Sequence, residues 1–161
     1  MRNRPAIWSE IDPRLCYIAE YFMSLSHRRE VDPGAIGTAL LPIIYVLRLE
    51  QHAAKSEPQM RVSLTGTMID DAMNQPLRNR YLGDFIHGPR GSDVMAAYLD
   101  CSATHRPFWM RQVGAYRNGK RRFIEGVGIF LEPDCIYGGL VTRDIIGATT
   151  TIPDFVHAVI A

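Results

Sequence analysis

Cysteine is scarce in this chain of 161 residues, with only Cys16, Cys101 and Cys135 present. They are odd in number, far apart and in no metal-like spacing, which argues against a disulfide framework or a cysteine zinc site. Small buried hydrophobes in a reduced protein are the expected role. Charge of one sign is also lacking: the net charge is +1, so no overall field draws the chain to nucleic acid or to an anionic membrane. No apolar run approaches the length of a membrane span, and the basic start Met1-Arg2-Asn3-Arg4-Pro5 lacks the apolar stretch of a signal peptide. A cytoplasmic location is therefore expected. Internal repeats and low-complexity tracts are absent too. What is present, 47% hydrophobic and 22% charged residues, is ordinary globular composition for one domain, with or without a terminal extension.

Residues 12–27 read as a helix, with Asp12 as N-cap, Pro13 at the first helical position, and Leu15, Ile18, Ala19, Phe22 and Leu25 in one apolar stripe. A polar linker, 27–34, precedes a short helical piece over Ala35–Leu41. Ile43–Glu50 and Gln59–Leu64 read as a strand pair with a long loop. Thr67-x-x-Asp70 resembles a capping box opening a short helix to about Asn74. A longer helix begins at Ser92, carries Val94, Met95, Tyr98, Leu99 and Ser102 on one side, and must stop before Arg106-Pro107. Three strands follow: Phe108–Arg117, Arg122–Glu132 and Ile136–Thr142. The first joint is Asn118-Gly119, the pair favoured in a two-residue type I′ turn, and the second is Pro133-Asp134. A two-residue turn pairs Phe108 with Ile129, Trp109 with Gly128, Met110 with Val127, Gln112 with Glu125 and Val113 with Ile124. Both faces of the resulting sheet are then largely apolar, so both are expected to be covered. The interior helices cover one; residues 12–27, from the same chain or from a partner, cover the other. In the tail 143–161, Thr149-Thr150-Thr151 favours extended chain and Asp154–Ile160 suggests a helical turn or two.

Two strands, a helical insert and three strands form the topology of a PAS domain. The residues add to this: the chain resembles a small bacterial PAS-like family that opens with a helical segment, here Tyr17-Ile18-Ala19-Glu20-Tyr21-Phe22. The family continues with an Asp-Pro element and a Leu-Pro step into the first strand, matching Asp32-Pro33 and Leu41-Pro42-Ile43. Its second-strand motif matches Arg61-Val62-Ser63-Leu64-Thr65-Gly66-Thr67, whereas its glycine-bearing turn is replaced here by Asn74-Gln75-Pro76-Leu77-Arg78-Asn79-Arg80. The resemblance implies an α+β fold, a PAS-like five-stranded antiparallel sheet with helices on one face and an N-terminal helix. The expected division is an N-terminal helical extension over 1–30, the PAS-like domain over 31–142 and a tail over 143–161. It implies a non-catalytic sensory module that dimerises through its first helix, with Leu15, Ile18, Phe22 and Leu25 as contacts. The length leaves no room for an output domain in this chain. The signal is thus expected to pass to another protein, such as a histidine kinase or other regulator.

A small ligand, if bound, is expected between the sheet and residues 81–99, lined by Tyr81, Phe85, Tyr98, Met110 and Gln112, with Glu125 opposite Gln112. A polar pair on an apolar face must find partners, which is how pockets orient ligands; the competing reading is that this level of the face meets solvent. Arg117, Lys120, Arg121 and Arg122 place four cations at a hairpin tip, either a solvated turn or an anion contact. Nucleic acid is not expected, since no aromatic residues interleave these cations. No cofactor is assigned: His87 and His105 lie near where haem-binding PAS domains place a ligand, but nothing else supports a porphyrin, and no metal site is expected. The carboxylates Asp70, Asp71, Asp93, Asp100, Glu125 and Asp134 form no spaced pair for acid–base work. The alternative reading is a small-molecule binding protein or enzyme of the cone-shaped α+β barrel type, isomerase- or dehydratase-like, which generally carries a buried Asp–His pair.

Overall fold

The computed structural model describes residues 6–51, 53–86, 90–115, 121–144 and 155–160. Helix α1 (Pro13–Met23) starts where its sequence dictates: the Asp12 side chain accepts the Arg14 amide at 2.9 Å and Pro13 follows it. A one-turn helix α2 (Pro33–Ile36) and a 3-10 turn (Leu41–Ile43) lead into strand β1 (Ile44–Glu50), which pairs with β2 (Gln59–Thr65). Helix α3 (Thr67–Met73) is capped by Gly66 rather than by Thr67. The Pro42 carbonyl passes so close that a Cβ on Gly66 would stand 2.2 Å from its oxygen, which only glycine permits. Asp70, expected to complete a capping box, instead accepts the Thr65 hydroxyl at 2.7 Å and the Leu77 amide at 3.1 Å. Helix α4 (Gly91–Thr104) starts from Arg90, ahead of the expected Ser92. It ends at His105, whose φ of 57° is left-handed.

Strands β3 (Phe108–Ala115), β4 (Arg121–Leu131), β5 (Cys135–Asp144) and β6 (Phe155–Val159) complete one antiparallel sheet in the order β2-β1-β5-β4-β3-β6. Among the described residues the sheet has six strands where five were expected. The extra one is β6, which lies on β3 where a helical turn was expected from Asp154 to Ile160. Alternation decides in its favour: Val156, Ala158 and Ile160 join one core while Phe155 joins the other. The Asn118-Gly119 joint lies outside the described residues, but its consequence is visible. Phe108 pairs with Gly128, Trp109 with Val127, Met110 with Gly126, Gln112 with Ile124 and Val113 with Phe123, one residue away from the two-residue-turn register. A one-residue slip moves every β4 side chain to the other face. Glu125 therefore sits opposite Arg111 and not opposite Gln112.

The sheet is the middle of three layers. Its insert face carries Tyr45, Leu47, Met60, Val62, Phe108, Met110 and Ile136 against Ile69 of α3, Leu82, and Val94, Ala97, Tyr98 and Cys101 of α4. Its α1 face carries Ile44, Trp109, Val127, Ile129, Leu131 and Val141 against Leu15, Ile18, Ala19 and Phe22. The cover for the second face comes from the same chain. Segments 1–30 and 143–161 both contribute to this second core, through α1 and through Val156, Ala158 and Ile160. At the centre, Gly138 and Gly139 are consecutive on β5 and serve opposite faces. A Cβ on Gly138 would stand 2.0 Å from the Val127 carbonyl oxygen and 2.6 Å from the Tyr45 ring; one on Gly139 would stand 2.7 Å from Ile18 Cδ1.

Candidate ligand pocket

A cavity of about 80 Å³ lies within the insert-face core. Since a single water needs roughly 10–15 Å³ on this measure, there is room for several water-sized groups. Sheet residues Tyr45, Leu47, Val62, Met110, Gln112, Ile124 and Leu140 form its floor, while Ile69, Leu77, Leu82, Phe85, Ile86, Val94 and Tyr98 form its roof. Four of the residues expected at a ligand site, Phe85, Tyr98, Met110 and Gln112, are brought together here. The polar wall groups differ in what they already hold. Thr65 donates to Asp70 at 2.7 Å, and the Tyr45 hydroxyl donates to the Val127 carbonyl at 2.7 Å while also meeting Tyr98. The Gln112 amide, by contrast, makes no hydrogen bond among the described residues. Burial pushes the Tyr98 phenol up to about 12 and raises that of Tyr45 as well, so both remain neutral at ordinary pH. Cys101 behind them is likewise pushed up to about 12 by burial, so its thiol stays protonated at ordinary pH.

Two of the expected pocket residues lie elsewhere. Tyr81 is held outside by its own contacts: its hydroxyl donates to Glu50 at 3.3 Å and its backbone bridges to Arg61. Glu125 is on the α1 face, a displacement that follows from the register of β3 on β4. There it is fully buried, the only charged residue so placed among the described residues. Its Oε1 accepts the Asp12 amide at 2.8 Å and the Trp109 indole N–H at 3.1 Å, and its Oε2 lies 3.5 Å from Arg143 Nη2. Asp12 opens α1, so this carboxyl group fastens the start of the helix to the middle of the sheet. The favourable position of an acid at a helix N-terminus adds to the tie. Arg14 beside Asp12 holds that carboxyl below its ordinary range. Arg111, opposite Glu125, instead lies over the rings of Phe123 and Trp109 at 5.0 and 5.6 Å from their centroids.

Leu15, Ile18 and Phe22, expected as dimer contacts, are buried against the chain's own sheet, and Leu25 packs at the border of the same core. Of the hairpin cations, Arg117 and Lys120 lie outside the described residues, Arg121 begins β4, and Arg122 pairs with Gly114 and Asp144 in the ladder. His87 is also outside the described residues. His105 sits at the end of α4, stacked on Phe130 at 3.8 Å and 3.7 Å from Glu132, away from the cavity lining. Among the described residues no group of His, Cys, Asp or Glu is placed to hold a metal ion, and no helix is long and apolar enough to cross a membrane. A second, open hollow of about 480 Å³ lies over β1 and β2 on the α1 face, edged by Leu41 and Leu64. The lining residues that sequence reasoning missed include Tyr45, Leu47, Ile124 and Leu140 on the sheet and Ile69, Leu77, Leu82 and Val94 above it. Tyr45 and Leu47 alternate on β1, a signal that both face one core, but nothing local indicates which core has room. No family model matches the chain, nor does any curated protein or solved structure.

Proposed function

We propose that this chain is a PAS-like, non-catalytic sensory module of the cytoplasm that binds a small, mainly apolar molecule and passes the event on through protein contact. The observation that carries the reading is the half-buried Gln112 amide, without a hydrogen bond among the described residues, on the wall of a mainly apolar cavity. Gln112 is half-buried, so a ligand with one hydrogen-bonding atom takes the place of water at its amide while the apolar wall takes the rest of it. Two strands before the helical insert and three after it, with the insert over one face, agree with the resemblance; β6 is an addition to it.

The same geometry supplies a route outward. Ile124 lines the cavity and its chain neighbour Glu125 fastens α1 on the opposite face. A ligand that displaces Ile124 shifts the carboxyl group holding the helix, and the exposed side of α1, where Tyr17 and Met23 lie, is the surface a regulator such as a histidine kinase would read. The cone-shaped barrel reading gains nothing comparable, because the buried acid found here pairs with an indole, an amide and an arginine and not with a histidine.

The test is native mass spectrometry of the purified protein against its 18.2 kDa chain mass, with hydrogen exchange of the α1 amides before and after ligand removal. Retained mass that Gln112→Leu abolishes, together with slower or faster exchange in 13–23 on ligand loss, is the expected result. A ligand that is turned over, or one whose removal leaves α1 unchanged, overturns the proposal.

A further inference from the structure

The two edges of the sheet are finished differently. The outer edge of β2 is closed by the chain itself: Val62 donates to the Arg80 carbonyl and accepts from the Asn79 amide, both at 2.8 Å, and Arg61 bridges to Tyr81. Arg61 also pairs with Glu50 at 2.7 Å, a charged finish. Beyond β6, no described residue pairs with the sheet. The Ile160 amide donates to the Pro107 carbonyl, which fixes the phase of the ladder. In the uninterrupted register of β6 on β3, Val156 and Ala158 then turn their backbone groups inward, and Phe155, His157 and Val159 turn theirs outward. The edge carries no lysine, proline or bulge, the devices by which edge strands ordinarily refuse partners.

We propose that this edge pairs with β6 of a second copy of the chain, antiparallel and two-fold about His157. The pattern Phe-Val-His-Ala-Val reads alike in both directions: apolar residues flank a central histidine on either side. Two-fold pairing sets Phe155 against Val159 of the other copy, and Val156 against Ala158, so both faces match apolar with apolar. All three outward-facing residues fall at hydrogen-bonded positions, giving about six new backbone bonds. A foreign strand could supply the bonds. The self-matching pattern is what selects a second copy, in the isologous manner of two-fold dimers. One short strand per copy is a small interface, so the dimer dissociates on dilution.

Sedimentation velocity over a concentration series, with hydrogen exchange along β6, tests this on the full chain. Protection of the Phe155, His157 and Val159 amides should rise with concentration, while those of Val156 and Ala158, bonded to β3, stay protected throughout. His157→Pro removes the central outward donor from both copies, and His157→Lys sets two cations face to face at an exposed position whose ring contact in the monomer is with Phe108; circular dichroism of each variant checks that the monomer stays folded. Each should weaken the dimer by about tenfold or more. A chain that stays monomeric at every concentration, a dimer that survives His157→Lys, or a dimer whose outward amides exchange freely overturns the proposal. The mass of any bound ligand plays no part in these readouts.

Discussion

Replacing Glu125 tests the central tie of the structure. Glu125→Ala leaves two donors, the Asp12 amide and the Trp109 indole, without their acceptor in a site closed to water. Each orphaned buried donor costs about 1–3 kcal/mol, and the emptied volume adds to that, so a total loss of about 3–5 kcal/mol is expected. For a domain of ordinary stability, about 5–15 kcal/mol, this is at least about a fifth of the whole. Glu125→Gln separates acceptor geometry from charge. Its carbonyl can still take both bonds at Oε1, and what is lost is the contact with Arg143, whose side chain is 51% exposed. Solvent screens that contact, so the glutamine should cost only about 1 kcal/mol. Urea unfolding followed by tryptophan fluorescence in a Trp8→Phe background gives both values, and hydrogen exchange over 13–23 reports whether α1 loosens first. Equal losses for the alanine and glutamine variants, or a loss below about 1 kcal/mol for alanine, would refute the idea that hydrogen-bond acceptance holds the helix.

The glycine pair of β5 should respond unequally. Gly138→Ala drives a methyl group into backbone and ring, and is expected to cost about 3 kcal/mol or more. Gly139→Ala meets only the flexible ends of Ile18 and Leu15, at 2.7 and 3.0 Å, and should cost about 1 kcal/mol. Thermal midpoints in the reverse order would contradict the packing described. The buried phenols set an alkaline limit. A folded-state value raised above the unfolded one means that stability is fully present below about pH 10, the ordinary tyrosine range, and is lost as pH rises toward the Tyr98 value of about 12. Ultraviolet titration should show Tyr45 and Tyr98 ionising only with unfolding, and a Tyr45→Phe, Tyr98→Phe double variant should withstand base better.

Much of the fold can be read without coordinates. Asp12-Pro13 and the stripe after them define α1, and apolar residues on both sides of β4 demand two cores whatever the register. The register itself was not legible. Asn118-Gly119 favours a two-residue turn through local φ preferences, whereas the strands pair one residue away from it, and that difference moves Glu125 from the cavity to the helix tie. Phe155–Val159 is short and apolar enough to suit a helical turn or a strand, and only β3 across from it decides. Tyr45 escaped notice because its defining contact, the Val127 carbonyl, is 82 residues away in sequence.

Gly138 and Gly139 leave β5 without side chains between the two cores. At that point a tyrosine ring on one side and an isoleucine methyl on the other rest on bare backbone of the same strand. The layers are therefore not separate compartments for mutation. A residue enlarged in the pocket core presses on β5 and is felt by α1, although no side chain links the two. Substitutions on opposite faces there should fail to add, and sequence drift in either core is confined to changes that the other can absorb.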